Sequence, residues 1–337
     1  MTNARTQIVR LSIKDTQLLK GVALLLLLIH HCLYTGEGYD DIVIHNRPLF
    51  QSIGIFSKLC VAIFVFLSGY GLTMQANKEG GIKNIILFYR KRYVKLIVNF
   101  WIIWLLFVPL GVFAFHRTFP EVYGEHYILR ALMDLTGLCT SSSYNATWWF
   151  YGCIIVLYAL FPLIWKFKSQ WFLLLPLAIV LPVLLSHIPI LNMVSGYLFV
   201  FVCGVVFADN KITFWGGKSM TLLLTILLAL FCLYRFIAKS PILWDSAIVI
   251  AMASVYSKVS IPAFVSRPLT FLGKHSFNIF LFHTFIYAYY FHDIIFWSRN
   301  PVFIVLTLLG VCIIISLFID QLKKLLRVDT IIQKLTK

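Results

Sequence analysis

"LLKGVALLLLLIHHCLYT", residues 18–35, places Lys20 at one end of an apolar run and two adjacent histidines, His30 and His31, toward the other. Eighteen residues rising ~1.5 Å each cover roughly 27 Å, close to the ~30 Å hydrocarbon thickness of a bilayer. The run therefore reads as a transmembrane helix. Ionisable side chains inside such a helix are costly and normally face the bundle interior, where they serve a site or a path. The run follows a basic N-terminal segment, as a secretory signal would. However, "LLLLLIHHCLYTGEG" has no small-x-small cleavage pattern after its apolar core, so an uncleaved first helix is expected.

Working outward, further apolar runs of spanning length fall near 53–75, 93–115, 148–165, 170–187, 192–208, 219–237, 242–257, 270–291 and 300–320. Of the 337 residues, 60% are hydrophobic and 12% charged, about half the charged share of a soluble domain. The expected fold class is all-α: a polytopic membrane helical bundle of about ten transmembrane helices, forming one membrane-embedded domain over 1–337. No soluble domain, repeat or low-complexity tract interrupts it.

A net charge of +16 invites a nucleic-acid reading, but the basic residues sort by side of the membrane. With a cytoplasmic N-terminus, 22 Lys/Arg fall on inner segments: Arg5, Arg10, Lys14 and Lys20, six between Lys78 and Lys95, Lys166 and Lys168, Lys211 and Lys218, Lys258, Arg267 and Lys274, and five in the tail. Six fall outside (Arg47, Arg117, Arg130, Arg235, Lys239, Arg299), and Lys58 lies within the second run. This asymmetry predicts both termini inside. The seven cysteines are odd in number, mostly apolar in setting, and lack CxxC or Cys/His spacing. They indicate neither a disulfide framework nor a zinc site.

The polar residues within the runs follow helical geometry. At about 100° per residue, Lys20 and His31 lie within about 20° of one face and roughly 16 Å apart, with His30 about 80° off it. This places His31 near or just past the bilayer midplane. In the ninth run Ser276, His283, Tyr287 and Tyr290 form one stripe, and His283 stands about 14 Å beyond Lys274. Two imidazoles at matched depth point to a shared cavity, the plainer alternative being cross-helix hydrogen bonds. Arg92, Lys95 and Asn99 form a basic stripe at the start of the third run. The sequence leaves open whether these cations snorkel to lipid phosphates or hold a phosphorylated ligand. The long outer connection, 116–147, contains Glu121, Glu125, His126, Asp134 and "TSSSYN". It reads either as a lid or access point for a polar external substrate or as a plain solvated loop.

Five segments in order resemble the acyltransferase 3 family, the ten-helix membrane acyltransferases. "LLKGVALLLLLIHH" resembles its first-helix pattern of a basic residue, ten residues, then histidine, which selects Lys20 and His31. "FVFLSGYGL" (64–72) resembles the phrase ending in Ser-Gly-Tyr. "YRKRYVKLIVNFW" resembles the Arg-x-x-Arg start of the third helix, carried here by Arg92 and Lys95. "TWWFYGCIIVLYALFPLI" resembles the Trp-Phe segment closing in Tyr and Pro, with Trp149, Phe150, Tyr158 and Pro162. "FLGKHSFNIFLFH" resembles the late segment carried by Leu272, Gly273, Ser276 and His283. Two departures replace arginine, the usual residue at Lys20 and a frequent one at Lys95, exchanging a bidentate fork for a point charge. Ile154 and Ile155 stand where one branch of the family has a Glu pair, so that branch's substrates do not carry over. No appended extracellular domain is expected.

The resemblance implies transfer of an acyl group, usually acetyl, from cytoplasmic acetyl-CoA to a hydroxyl of a cell-surface or lipid-linked carbohydrate, by a multi-pass protein of a bacterial cell membrane. The implied co-substrate is acetyl-CoA, with no resident cofactor or metal. The implied partners are the acyl-CoA, the glycan acceptor and membrane lipids, without nucleic acid. On this reading Arg90, Arg92 and Lys95 clamp the CoA phosphates, Lys20 sits near the donor's path, and His31 is the base. His283 is a second base, orienter or oxyanion donor, while Ser68, Trp149, Ser276 and Tyr287 support the substrate. The rival readings are a transporter or flippase of a lipid-linked glycan and a non-catalytic membrane binding protein. Paired broken helices in corresponding halves, the usual pointer to a transporter, are not evident in the sequence.

Overall fold

The computed structural model describes residues 11–44, 46–184, 194–209, 218–238 and 242–336. Arg5, Arg10, Lys211, Lys239 and Lys337 of the charge pattern, the end of the fifth apolar run and the start of the sixth lie outside them. Each of the ten runs holds helix. In chain order the helices are α1 (Ile13–Leu33), α2 (Leu49–Ser57), α3 (Leu59–Lys78), α4 (Ile85–Ala114), α5 (Phe119–Tyr123), α6 (Tyr127–Thr136), α7 (Trp149–Lys166), α8 (Trp171–Leu184), α9 (Leu198–Ala208), α10 (Lys218–Ala238), α11 (Ile242–Tyr256), α12 (Ala263–Thr284), α13 (His292–Phe296), α14 (Pro301–Leu325) and α15 (Val328–Leu335). Among the described residues six helical stretches are long and apolar enough to cross a membrane, and three more apolar helices are shorter. Among the described residues the strands are a two-residue pair, Val43–Ile44 against Arg47–Pro48.

Local chemistry moves several boundaries away from the hydropathy pattern. Helix α1 begins at Ile13, well before the apolar run, because Ser12 and Asp15 form a capping box: Asp15 N–H donates to Ser12 Oγ at 3.2 Å and Ser12 N–H to Asp15 Oδ2 at 2.7 Å, satisfying two otherwise orphaned donors. Consequently Lys20 lies seven residues into the helix and His31 two from its end, so His31 is closer to the helix terminus than the apolar run makes it. The second run breaks at Lys58, which is exposed at the junction of α2 and α3. Helix α12 passes directly into a six-residue π segment, Phe285–Tyr290.

The chain packs as two compact units, one of residues 1–34, 43–81 and 161–274, the other of 35–42, 82–160 and 275–337. The division falls within α7 and within α12. In the first unit two reciprocal glycine contacts bring backbones together. A Cβ on Gly69 of α3 would collide with the Phe201 carbonyl of α9, and one on Gly204 with the Phe66 carbonyl. Likewise Gly21 of α1 abuts the Leu269 carbonyl of α12, and Gly273 abuts that of Gln17. Small residues at such crossings maximise packing between helices where lipid supplies no hydrophobic drive. Tyr70, in the Ser-Gly-Tyr phrase, donates its hydroxyl to Leu11 O at 3.0 Å and accepts from Leu11 N–H at 2.8 Å, tying the start of α1 to α3. Arg235 of α10 is buried and ion-paired with Asp245 of α11, and its Nη1 donates to the Phe56 carbonyl at 2.6 Å. Its charge is structural rather than an exposed loop charge.

In the second unit, Phe107 of α4 stacks on Phe282 and Phe285, with centroids 5.3 and 5.1 Å apart. Tyr290 donates to the Phe107 carbonyl at 2.7 Å and stacks on Phe115 at 4.3 Å. The 116–147 connection folds as α5, α6 and short 3-10 turns, which a purely solvated loop would not do.

Candidate functional site

In the first unit, His30 and His31 occupy the last turn of α1. His30 Nδ1 lies 2.8 Å from the Gly54 carbonyl, a cross-helix bond that gives this histidine a structural role. His31 is half-buried, its ring 5.0 Å from that of His30 and 6.3 Å from that of Tyr34. Lys20 is also half-buried. Ser68 donates its hydroxyl to the Phe64 carbonyl of its own helix at 2.9 Å, the local bond a serine within a helix commonly makes.

In the second unit, the basic stripe occupies the first three turns of α4, whose N-terminus is capped by Asn84 accepting from Leu87 N–H at 2.9 Å. Arg92 is half-buried, 5.8 Å from the Phe88 ring centroid, whereas Arg90 and Lys95 are exposed. Asn99 turns back to donate to the Lys95 carbonyl at 2.7 Å. The positive end of the helix dipole and three cations make this end suited to anions.

His283, the penultimate residue of α12, is wholly buried. Its Nδ1 lies 2.9 Å from the Phe280 carbonyl and 3.1 Å from that of Ile279. A carbonyl only accepts, so Nδ1 carries the hydrogen, and Nε2 is the accepting, basic nitrogen of the neutral ring. Nε2 stands 3.5 Å from Thr284 Oγ1, which is 2.8 Å from Thr147 Oγ1. Thr147 in turn donates to Asn145 Oδ1 at 2.8 Å. With Thr147 donating onward, Thr284 must donate to Thr147, which leaves oxygen lone pairs facing the ring. A proton taken up at Nε2 thus meets an acceptor. Tyr287 stacks on His283 at 6.0 Å and 22°, and Ser276 is buried on the same helix. Tyr290 leaves the predicted stripe because the π segment has wider turns than the α geometry assumed.

Trp149 is half-buried at the start of α7. Its neighbour Trp148 is fully buried and donates Nε1–H to the Leu281 carbonyl at 2.8 Å. That carbonyl is one turn before the π segment, where the α ladder changes and carbonyls become available to side chains. Sequence reasoning singled out Trp149, not Trp148, which makes this bond. It also missed a polar seam in which Asn278 Nδ2–H donates to Asp320 Oδ1 at 2.8 Å, Lys323 to Asn278 Oδ1 at 2.6 Å, and His275 lies 3.2 Å from Asp320 Oδ2. The i, i+4, i+7 spacing of Ser316, Asp320 and Lys323 was the available signal.

The connection between α4 and α7 is latched by Asp134, 2% exposed. It accepts from Tyr123 and Ser143 hydroxyls, each at 2.5 Å, and from Tyr144 N–H at 2.9 Å. Burial raises its carboxyl above the ordinary value, opposed by those donors. A folded-state pKa raised in this way gives stability that is complete below the unfolded value, about 4, and is lost as pH rises through the folded one. Backbone protection factors across 116–147 are therefore expected to fall as pH rises from about 4 toward neutrality, with Asp134→Asn removing that dependence at a cost of about 1–3 kcal/mol from the stranded donors. Hydrogen exchange at the two pH values measures both effects.

Among the described residues no group of His, Cys, Asp and Glu is arranged to hold a metal ion. A family model described as an acyltransferase domain matches residues 13–320. No curated protein matches the chain, and no solved structure does.

Proposed function

Because this chain belongs to the acyltransferase 3 family, matched over residues 13–320, it is a multi-pass membrane acyltransferase, and we propose that it moves an acetyl group from cytoplasmic acetyl-CoA to a hydroxyl of a surface or lipid-linked carbohydrate of a bacterial cell. The observation that carries this reading is His283: a buried imidazole held in one tautomer, with its basic nitrogen beside a committed hydroxyl chain. A neutral imidazole with a free basic nitrogen is suited to removing a hydroxyl proton as that oxygen attacks a thioester.

In the proposed reaction His31 is the base toward the acceptor, and His283 is the second base or orienter. The tautomer argues against His283 as a neutral oxyanion donor, since its ring hydrogen is spent on backbone carbonyls. Arg90, Arg92 and Lys95 take the CoA phosphates at the capped end of α4, where side-chain charge and helix dipole agree in sign. Lys20, on the same helix as His31, is assigned to the donor's path. Electrons and protons balance simply: the acceptor oxygen bonds to the acyl carbon, the C–S bond breaks, and the thiolate leaves as CoA while the hydroxyl proton passes to imidazole.

NMR of surface polysaccharide from cells carrying the wild type or His31→Ala tests the reading. O-acetyl signals are expected to be lost with His31→Ala. Unchanged signals from cells that make and insert the variant would remove the proposal's centre. Loss of glycan export with the internal pool still acetylated would favour transport.

A further inference from the structure

A cleft of about 330 Å³ opens on the second unit between the α4–α7 connection and the π segment, and Arg117, Glu121, Ser141, Ser142 and Tyr289 are among its lining residues. That volume lies at the lower end of small-ligand sites. Arg117 is held there from every side. Its N–H donates to the Gly111 carbonyl at 2.9 Å, and its own carbonyl accepts from Tyr144 Oη at 2.6 Å. Its Nη2 donates to the Tyr144 carbonyl at 2.8 Å. The guanidinium lies 3.7 Å from the Tyr289 ring centroid and 5.0 Å from that of Tyr144. Tyr289 is itself fixed, its hydroxyl accepting from Ala146 N–H at 3.2 Å.

This preorganisation leaves two things unmet. Among the described residues no carboxylate stands within ion-pair distance of the guanidinium, and its Nε–H is buried without an acceptor. Aromatic faces attract a cation but supply no opposite charge. A buried donor without an acceptor is costly, and an arginine fork fits a planar or tetrahedral oxyanion in two-pronged fashion. The surrounding cleft is hydroxylic: Ser141 and Ser142 are exposed, and neither hydroxyl makes a hydrogen bond among the described residues. Glu121, whose Oε2 accepts from Thr118 N–H at 3.4 Å, presents a carboxylate suited to ligand hydroxyls. A cation, a carboxylate and two hydroxyls around one small cleft match a molecule carrying both an anionic group and several hydroxyls.

We propose that this cleft is the subsite for an acidic sugar of the acceptor, with Arg117 clamping its oxyanion, whether a uronate carboxylate or a sugar phosphate. The inference deepens the acyltransferase reading and rests on it for the word acceptor. The same short segment lines the cleft with Ser141 and Ser142 and then bonds, through Thr147, to Thr284 beside His283, so ligand held in the cleft is tied to the element that carries the imidazole.

Binding is measured on the full-length protein in lipid nanodiscs by saturation-transfer NMR with three probes: methyl glucuronide, glucose 6-phosphate and methyl glucoside. At least one anionic probe is expected to bind about tenfold or more tightly than the neutral one, and the two anionic arms distinguish carboxylate from phosphate. Arg117→Gln is expected to erase the preference, and Arg117→Lys to retain only part of it, because a point charge replaces the fork. Equal binding of charged and neutral probes by the wild type overturns the proposal without recourse to any variant. The outcome is independent of catalysis. Anion preference with His31→Ala leaving O-acetylation intact would keep the subsite and discard the acyl-transfer role, and the converse pattern would do the opposite.

Discussion

Replacing His283 by alanine is expected to lower acyl transfer by about 10²- to 10⁴-fold, the usual contribution of a positioned general acid or base. The ring is wholly buried, and its Nδ1–H is committed to the Ile279 and Phe280 carbonyls. The substitution therefore removes the basic nitrogen and leaves a small void beside Thr284. Stability falls as well, so activity alone is an ambiguous readout. Two further measurements separate the causes. Free imidazole added to His283→Ala should recover part of the transfer by filling the void with the missing base, which no merely destabilised protein would show. A thermal-unfolding measurement on the same variant should show whether its fold is kept while transfer is lost. An alanine variant that retains full transfer, or one that imidazole fails to rescue while folding normally, would confine His283 to a packing role.

The largest effect on stability is expected at Asp245. Its ion pair with Arg235 is buried, and the same guanidinium donates to the Phe56 carbonyl, at the end of α2 where the break at Lys58 leaves carbonyls without helical partners. Asp245→Ala strands the guanidinium charge, at a cost of about 3–5 kcal/mol, typical of removing one partner from a buried pair. Removing both charges with Arg235→Met and Asp245→Leu should cost less than the single change, because no unpaired charge remains. Thermal unfolding in a fixed detergent, followed by tryptophan fluorescence, compares the three proteins. A neutral Asp245→Ala would mean that the Phe56 carbonyl alone suffices to hold Arg235.

The positions of the helices were legible because lipid demands long apolar runs with every backbone group bonded internally, and that demand is written in composition. The alignment of Lys20 and His31 was legible for a similar reason, since 100° per residue is set by the backbone. The Gly residues inside the resembling phrases also had a physical meaning that only packing could display: Gly21, Gly69 and Gly273 each meet a neighbouring carbonyl. Other features depend on tertiary partners and leave little trace in one sequence. Trp148 looks like any interfacial tryptophan until the Leu281 carbonyl appears beside it. Asp134 looks like a loop acid until Tyr123, Ser143 and Tyr144 converge on it. Arg235 counts as an outer charge until Asp245 and the α2–α3 break claim it.

The π segment at Phe285–Tyr290 acts as a phase shifter. A π turn accommodates a residue beyond what an α-helix of the same rise would hold, so the residues before and after Thr284 follow different angular clocks. The histidine keeps step with the α geometry of α12, while Tyr289 and Tyr290 keep step with the end of α4 and the connection they touch. A single-residue deletion in "FIYAYY" would rotate a different tyrosine beneath Arg117 without moving His283. Changes confined to this segment can thus alter what lines the cleft while His283 stays in register.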